Sequence, residues 1–217
     1  IENWRDQLWT PLGSSLESPD TWPTDQVALN DFRFSPPESA FGQQPAMQKI
    51  VEQLGGENFT GGGGSPIINW PRPTSEWSMP THGHIDGYGP AGWTPFMLGA
   101  TTYLYDVEPG GGAFVYWPES HRTTHEYFRQ YPEQIDGSYK DIEGVGWQVF
   151  SNRAPEAPRE FIAPAGTVVL WHAFLCHTGS TNVRLTPRFG LFARWRHKRR
   201  DEIKYDIPEN LWKYWSI

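Results

Sequence analysis

The sequence predicts a mainly β fold, and three observations carry that expectation. Short runs rich in Val, Ile, Phe, Tyr, Trp and Thr recur from residue 65 onward, bounded by Gly, Pro, Asn and Asp. The 20 prolines and 22 glycines imply many turns and few long helices. The 12 Trp, 12 Phe and 9 Tyr supply rings that fill wide cores and line pockets. Many short strands with frequent turns close as a sandwich or a barrel, and a jelly roll of the cupin type is one such solution. With 217 residues the chain is long enough for one large domain. A fold of this size buries roughly 70 % of the unfolded chain's surface, so it needs no covalent staple. The expected layout is a single domain over 1–217. It has an irregular and helical flank (1–65), a β core (66–195) and a C-terminal extension (196–217).

In chain order, residues 1–43 read as loop, with turn-rich pieces such as "PLGSSLESPDTWPTD". A helix is expected over 45–54, "PAMQKIVEQL". Pro45 suits a first helical turn, and Met47, Ile50, Val51 and Leu54 recur at helical spacing. Gly55 and Gly56 end it. The "GGGG" at 61–64 reads as a flexible connection, because it lacks the Lys-Ser/Thr that follows a phosphate loop. Strands are expected over 65–71, 96–107, 112–118, 146–151, 159–164, 166–172 and 187–195, with a helical insertion over 119–132. No internal repeat is evident.

Composition excludes several classes. The net charge of −7 argues against a nucleic-acid partner. The basic run "RWRHKRR" at 194–200 reads as a solvated strand end and loop. No stretch approaches the ~20 apolar residues of a membrane span, and no signal peptide is visible, although the chain opens on Ile rather than Met. The lone Cys176 excludes an internal disulfide, which fits a reducing compartment or a fold that needs no bridge; a cytoplasmic location is expected. The sequon Asn58-Phe59-Thr60 would matter only in a secreted protein.

Chemistry concentrates in "HGHIDGYGP" (82–90). Neutral imidazole is the commonest metal ligand, and Asp adds a hard anionic oxygen. On a strand, residues i and i+2 share a face, so the segment offers either His84 with Asp86 or an edge of three that includes His82. A further ligand must come from elsewhere. His121 and His125 have the i, i+4 spacing of zinc peptidases, but Arg122 stands where the catalytic Glu would be. The segment "GTVVLWHAFLCHTGSTNVRLTPRFGLFARW" is more telling: a buried strand leads through a turn to His177, and Arg188 follows eleven residues later. Two His and one Asp on a β scaffold make the facial triad of non-haem Fe(II) oxygenases. An arginine beyond the last His suits a dicarboxylate co-substrate, since guanidinium grips carboxylate through two parallel hydrogen bonds.

At this point the chain resembles the phytanoyl-CoA dioxygenase family of Fe(II)/2-oxoglutarate oxygenases. The resemblance rests on "HID" (84–86), "LYDVEPGGGAFVYWPESHR" (104–122), "LWHAFLCHTGS" (170–180) and "PRF" (187–189), in that order. It covers roughly 84–195, about half the chain, and is not visible over 1–65. It implies a double-stranded β-helix with a few flanking helices. It also implies Fe(II) held by His84, Asp86 and His177, and 2-oxoglutarate gripped by Arg188. Thr101 and Tyr103 would form a wall of the co-substrate pocket. The implied reaction consumes O2, releases succinate and CO2, and oxidises a C–H bond of a small-molecule substrate. Because Asp86 keeps the carboxylate that related halogenases lack, hydroxylation or desaturation is expected. Within the same reading, His82 faces substrate or supports the ligands, His172 is a core or supporting histidine, and His121 is structural. Tyr88, Trp93 and Trp171 line the substrate cavity or fill the core. The family's usual Ser two positions past the distal His is here Gly179, followed by Ser180. The rival readings are a cupin-like Zn or Mn isomerase or hydrolase, and a silent small-molecule binder.

Overall fold

The computed structural model describes residues 1–86 and 97–217. Its hub is β9 (Arg188–His197), the longest strand. Phe189, Leu191, Ala193 and Trp195 alternate along it and are at most 1 % exposed. That period-2 stripe fixes which face meets the core, because a one-residue slip would expose all four. The opposite face of β9 carries Arg188, Phe192 and Arg194.

Around this hub the antiparallel large sheet runs β1 (Val27–Ala28), β3 (Ile67–Asn69), β9, β4 (Leu98–Tyr103) and β7 (Val168–His172), with β2 (Phe59–Gly63) also paired to β9. A small sheet contains β6 (Arg159–Glu160), β5 (Phe114–Tyr116) and β8 (His177–Gly179). Two sheets with their inner faces filled by rings give the mainly β jelly roll that the sequence predicts.

Three apolar clusters result. Behind the large sheet, helices α1 (Glu2–Leu12) and α2 (Pro45–Gly55) bury Leu8, Met47 and Val51 against the β9 stripe. Between the sheets lie Tyr103, Phe114 and Trp171, with Phe161, Val169 and Phe192 packed against them. Beyond the small sheet, α3 (Ser120–Gln130) contributes Tyr127 and Phe128, which pack with Trp117, Phe150 and Phe174. No helix among the described residues is long and apolar enough to cross a membrane.

The helix expected over 45–54 and the insertion at 119–132 are present as α2 and α3. Three expectations are corrected. Residues 2–12 form a helix rather than loop. The glycines at 61–63 belong to β2, which pairs with the distal half of β9. The segment expected as a strand over 146–151 instead turns helical at α4 (Val149–Asn152). Val149, Phe150 and Ser151 are buried consecutively there, which an alternating strand on one sheet face cannot achieve. The sheet thus draws β1 and β2 from the first 65 residues, and β9 runs two residues past 195.

Candidate metal centre

The site begins with a backbone pairing. His84 and His177 lie opposite each other in an antiparallel bridge and exchange both hydrogen bonds: His84 N donates to His177 O at 2.9 Å, and His177 N to His84 O at 2.8 Å. Directly opposed residues put their side chains on one face, so the two rings stand 4.7 Å apart between centroids. The approach depends on Gly83. A Cβ there would come within 2.4 Å of the Trp117 ring and 2.9 Å of Cys176 Sγ. Two residues on, Asp86 shares the face of His84, as the i, i+2 rule requires. Its Oδ1 lies 3.4 Å from His84 Nε2 and 3.6 Å from His177 Nε2.

Two of the three ligand candidates, His177 and Asp86, are held in a state suited to a cation. His177 Nδ1 donates to the Leu175 carbonyl at 2.9 Å, which leaves the lone pair on Nε2, the nitrogen facing Asp86. The His177 ring stacks on Phe114 and packs against Trp171, with centroids at 5.0 and 4.7 Å. His177 is buried while His84 is exposed, so the centre is walled on one side and open on the other. Burial alone would raise the Asp86 pKa. Contacts with His177 and His84, and the charge of Arg194, outweigh it and hold the carboxylate ionised far below its ordinary range.

Donor atoms of His84, Asp86 and His177 all lie within 4.8 Å of one another. Ligands bonded at about 2.0–2.2 Å to one ion sit about 3 Å apart when adjacent. The separations of 3.4 and 3.6 Å are therefore close to what a shared cation requires. Two imidazoles and one carboxylate, with one side open, match a divalent transition metal.

Arg194 also belongs to this centre. Its Nε and Nη2 lie 3.0 and 2.5 Å from Asp86 Oδ2, and its guanidinium lies 5.7 Å from the Trp171 ring centroid. Sequence reasoning placed it in a solvated basic run, and that reading fails here. Strand alternation turns Trp195 and His197 into the core and puts Arg194 and Arg196 on the opposite face, where Arg196 is exposed and the half-buried Arg194 reaches Asp86. The available signal was period 2 counted from Arg188 through 190 and 192 to 194.

Arg188 enters from the other end of β9 and is 3 % exposed. Nε donates to Gly112 O at 2.7 Å and Nη1 to Ile67 O at 3.1 Å. The guanidinium lies back along its own strand over Gly190, where a Cβ would stand 2.5 Å from Nη1. Among the described residues no carboxylate pairs with it; the nearby titratable group is the Tyr103 hydroxyl. A buried charge without a counter-ion is costly, and burial does lower this arginine's pKa.

Thr101 and Tyr103 lie on the inner face of β4 and are fully buried. Thr101 Oγ1 accepts the Trp171 indole N–H at 3.1 Å. The Tyr103 hydroxyl donates to Phe161 O at 3.1 Å and accepts Phe114 N–H at 2.7 Å. With those bonds made and burial pushing its pKa up to about 12, Tyr103 stays a neutral phenol. Ser180 Oγ donates to Glu160 at 3.1 Å. His82 is exposed, 6.0 Å from the Trp147 ring. His172 packs against Trp215 and Trp212, and its Nδ1 accepts the Phe174 N–H. His121 neighbours His172 and Trp212. Tyr88 and Trp93 lie outside the described residues.

No protein-family model and no curated protein matches the chain. Solved structures do match. SnoN from nogalamycin biosynthesis, an epimerase crystallised with Fe3+, α-ketoglutarate and nogalamycin RO, superposes with a TM-score of 0.55 at 19 % identity. That match covers 79 % of this chain and 62 % of SnoN, so the chain spans less than two thirds of that enzyme. HygX from Streptomyces hygroscopicus, with nickel and 2-oxoglutarate bound, gives 0.54 at 14 % identity over 91 % of this chain and 78 % of HygX. EctD from S. alaskensis with bound Fe gives 0.50 at 15 % identity over 88 % and 69 %. The chain shares the fold of these proteins.

Proposed function

We propose that this chain is a non-haem Fe(II)- and 2-oxoglutarate-dependent dioxygenase, akin to the phytanoyl-CoA dioxygenase family. In this reading residues 1–217 form one oxygenase-like domain that hydroxylates or desaturates a C–H bond of a small organic substrate. The observation that carries the proposal is Arg188, a buried guanidinium with no counter-ion among the described residues, on the strand next to a His-Asp-His centre. A metal protein that hydrates or isomerises without a 2-oxo diacid has no use for such a group. A diacid chelated at the metal does.

When bound by His84, Asp86 and His177, Fe(II) would supply O2 activation coupled to the oxidative decarboxylation of 2-oxoglutarate. For hydroxylation the balance is R–H, O2 and 2-oxoglutarate giving R–OH, succinate and CO2. The residues around it bind and orient. His177 and Gly179 share one face of β8, and i, i+2 positions on a strand lie roughly 7 Å apart. That is about the reach of a five-carbon diacid from a metal beside His177 to a guanidinium beside Gly179. Arg188 fixes the far carboxylate in the direction its two backbone hydrogen bonds impose. Thr101 and Tyr103 form the wall between, with their polar atoms already paired, so they present apolar surface. Phe114 and Trp171 shield His177 from water, and the exposed side of His84 is where substrate approaches.

The test is succinate formation by the iron-loaded protein under O2, with and without 2-oxoglutarate. Basal 2-oxoglutarate turnover to succinate is expected, and Asp86→Ala should abolish it. Turnover of a substrate without 2-oxoglutarate would favour the Zn or Mn cupin reading.

A further inference from the structure

The co-substrate pocket contains a second group that the sequence did not mark. Arg188 uses Nε and Nη1 on backbone carbonyls, which leaves Nη2 toward Gly179. A Cβ built on Gly179 would lie 3.9 Å from Arg188 Nη2 and 4.0 Å from Gln26 Oε1, with nothing closer. A guanidinium edge and a primary amide therefore both border the space that a side chain at 179 would occupy.

Gln26 is exposed and lies immediately before β1. The preceding residues are tied to Arg72, whose Nη2 meets Asp25 at 3.0 Å and whose Nε donates to Thr24 O at 3.2 Å. The following residue, Val27, is registered against Ile68 in β1–β3. The Gln26 amide itself makes no hydrogen bond among the described residues. Ser180, the nearby hydroxyl in sequence, is spent on Glu160.

We propose that Gln26 is the second recognition group for the far carboxylate of the 2-oxo diacid, acting with Arg188 across the space over Gly179. This rests on the reading given under Proposed function. A half-turn of the amide presents Nε2–H, so the carboxylate receives one charged and one neutral donor. The N-terminal flank thereby supplies a specificity-determining residue from outside the β core expected over 66–195.

The test is an anaerobic titration of the Fe(II)-loaded full chain with 2-oxoglutarate, read from the visible absorption of the metal–2-oxo acid chelate. 2-Oxobutyrate, which lacks the far carboxylate, is titrated in parallel. Gln26→Ala should weaken 2-oxoglutarate about tenfold. Gln26→Glu should weaken it further, by placing like charges together. Neither should alter 2-oxobutyrate, and Gly179→Ser in the Gln26→Ala background should restore part of the loss. The inference is overturned if both Gln26 variants bind 2-oxoglutarate as the parent does, or lose 2-oxobutyrate equally. A parent protein that holds Fe(II) yet binds neither 2-oxo acid overturns the oxygenase reading and this inference together.

Discussion

Arg194 grips one oxygen of Asp86 while the other faces both imidazoles: Oδ2 lies 2.5 Å from Arg194 Nη2, and Oδ1 lies 3.4 Å from His84 Nε2. The carboxylate is thus held in one rotamer with a single oxygen presented to the centre. Partners behind a ligand typically change metal affinity 10- to 100-fold. Arg194→Ala should weaken Co(II) binding about tenfold, followed by the metal's visible absorption, with Arg194→Lys intermediate. An affinity that rises on substitution would mean that the guanidinium chiefly repels the ion.

Thr101 is tied to the centre through Trp171, whose indole N–H it accepts at 3.1 Å beneath the His177 ring. Thr101→Val keeps the shape but removes that acceptor. It should cost about 1–3 kcal/mol in urea unfolding, with Thr101→Ser nearer the parent. A neutral Thr101→Val would show that the bond contributes nothing to holding the indole.

His172 gives the fold a pH dependence. Burial, then the charges of His121 and His125, push its pKa down to about 3 from 6.5. Between those values the unfolded chain carries a proton here and the folded chain does not. Stability therefore falls as pH falls from 6.5 toward 3, by about 1.4 kcal/mol per pH unit for this one group. His172→Asn keeps an acceptor for the Phe174 N–H. It should flatten the stability profile between about pH 6 and pH 4 by close to one proton. Identical slopes for parent and variant would exclude His172 as the source.

The legible parts of the sequence were those governed by alternation. The pattern along 188–195 marks β9, and His84 with Asp86 is an i, i+2 pair on a single face. Arg188 was legible because it opens the apolar run 188–195 at a distance from His177 that suits a neighbouring strand, whereas Arg184 falls in the turn before it. Arg194 was hidden inside a run of basic residues, where net charge masks the two faces of the strand. The first helix was hidden because its N-cap, Ile1, makes no side-chain cap bond, because Pro11 lies inside it, and because Leu8 is its one buried residue. In β2 the glycines carry no β signal, yet the strand forms because β9 offers it a paired edge. Gln26 was invisible because its partner is the absence of a side chain at Gly179, a relation between residues distant in sequence.

The central claim is that one metal and one diacid sit side by side, with Arg188 as the counter-ion of the diacid's far end. The most direct measurement is the preference of the Fe(II)-loaded protein for 2-oxoglutarate over 2-oxobutyrate, in the parent and in Arg188→Met. A buried charge pair of this kind corresponds to about 2–5 kcal/mol, so the parent should prefer 2-oxoglutarate by at least about 30-fold. Arg188→Met should bind both acids alike. Equal binding of the two acids by the parent, or a preference that survives Arg188→Met, would contradict the account.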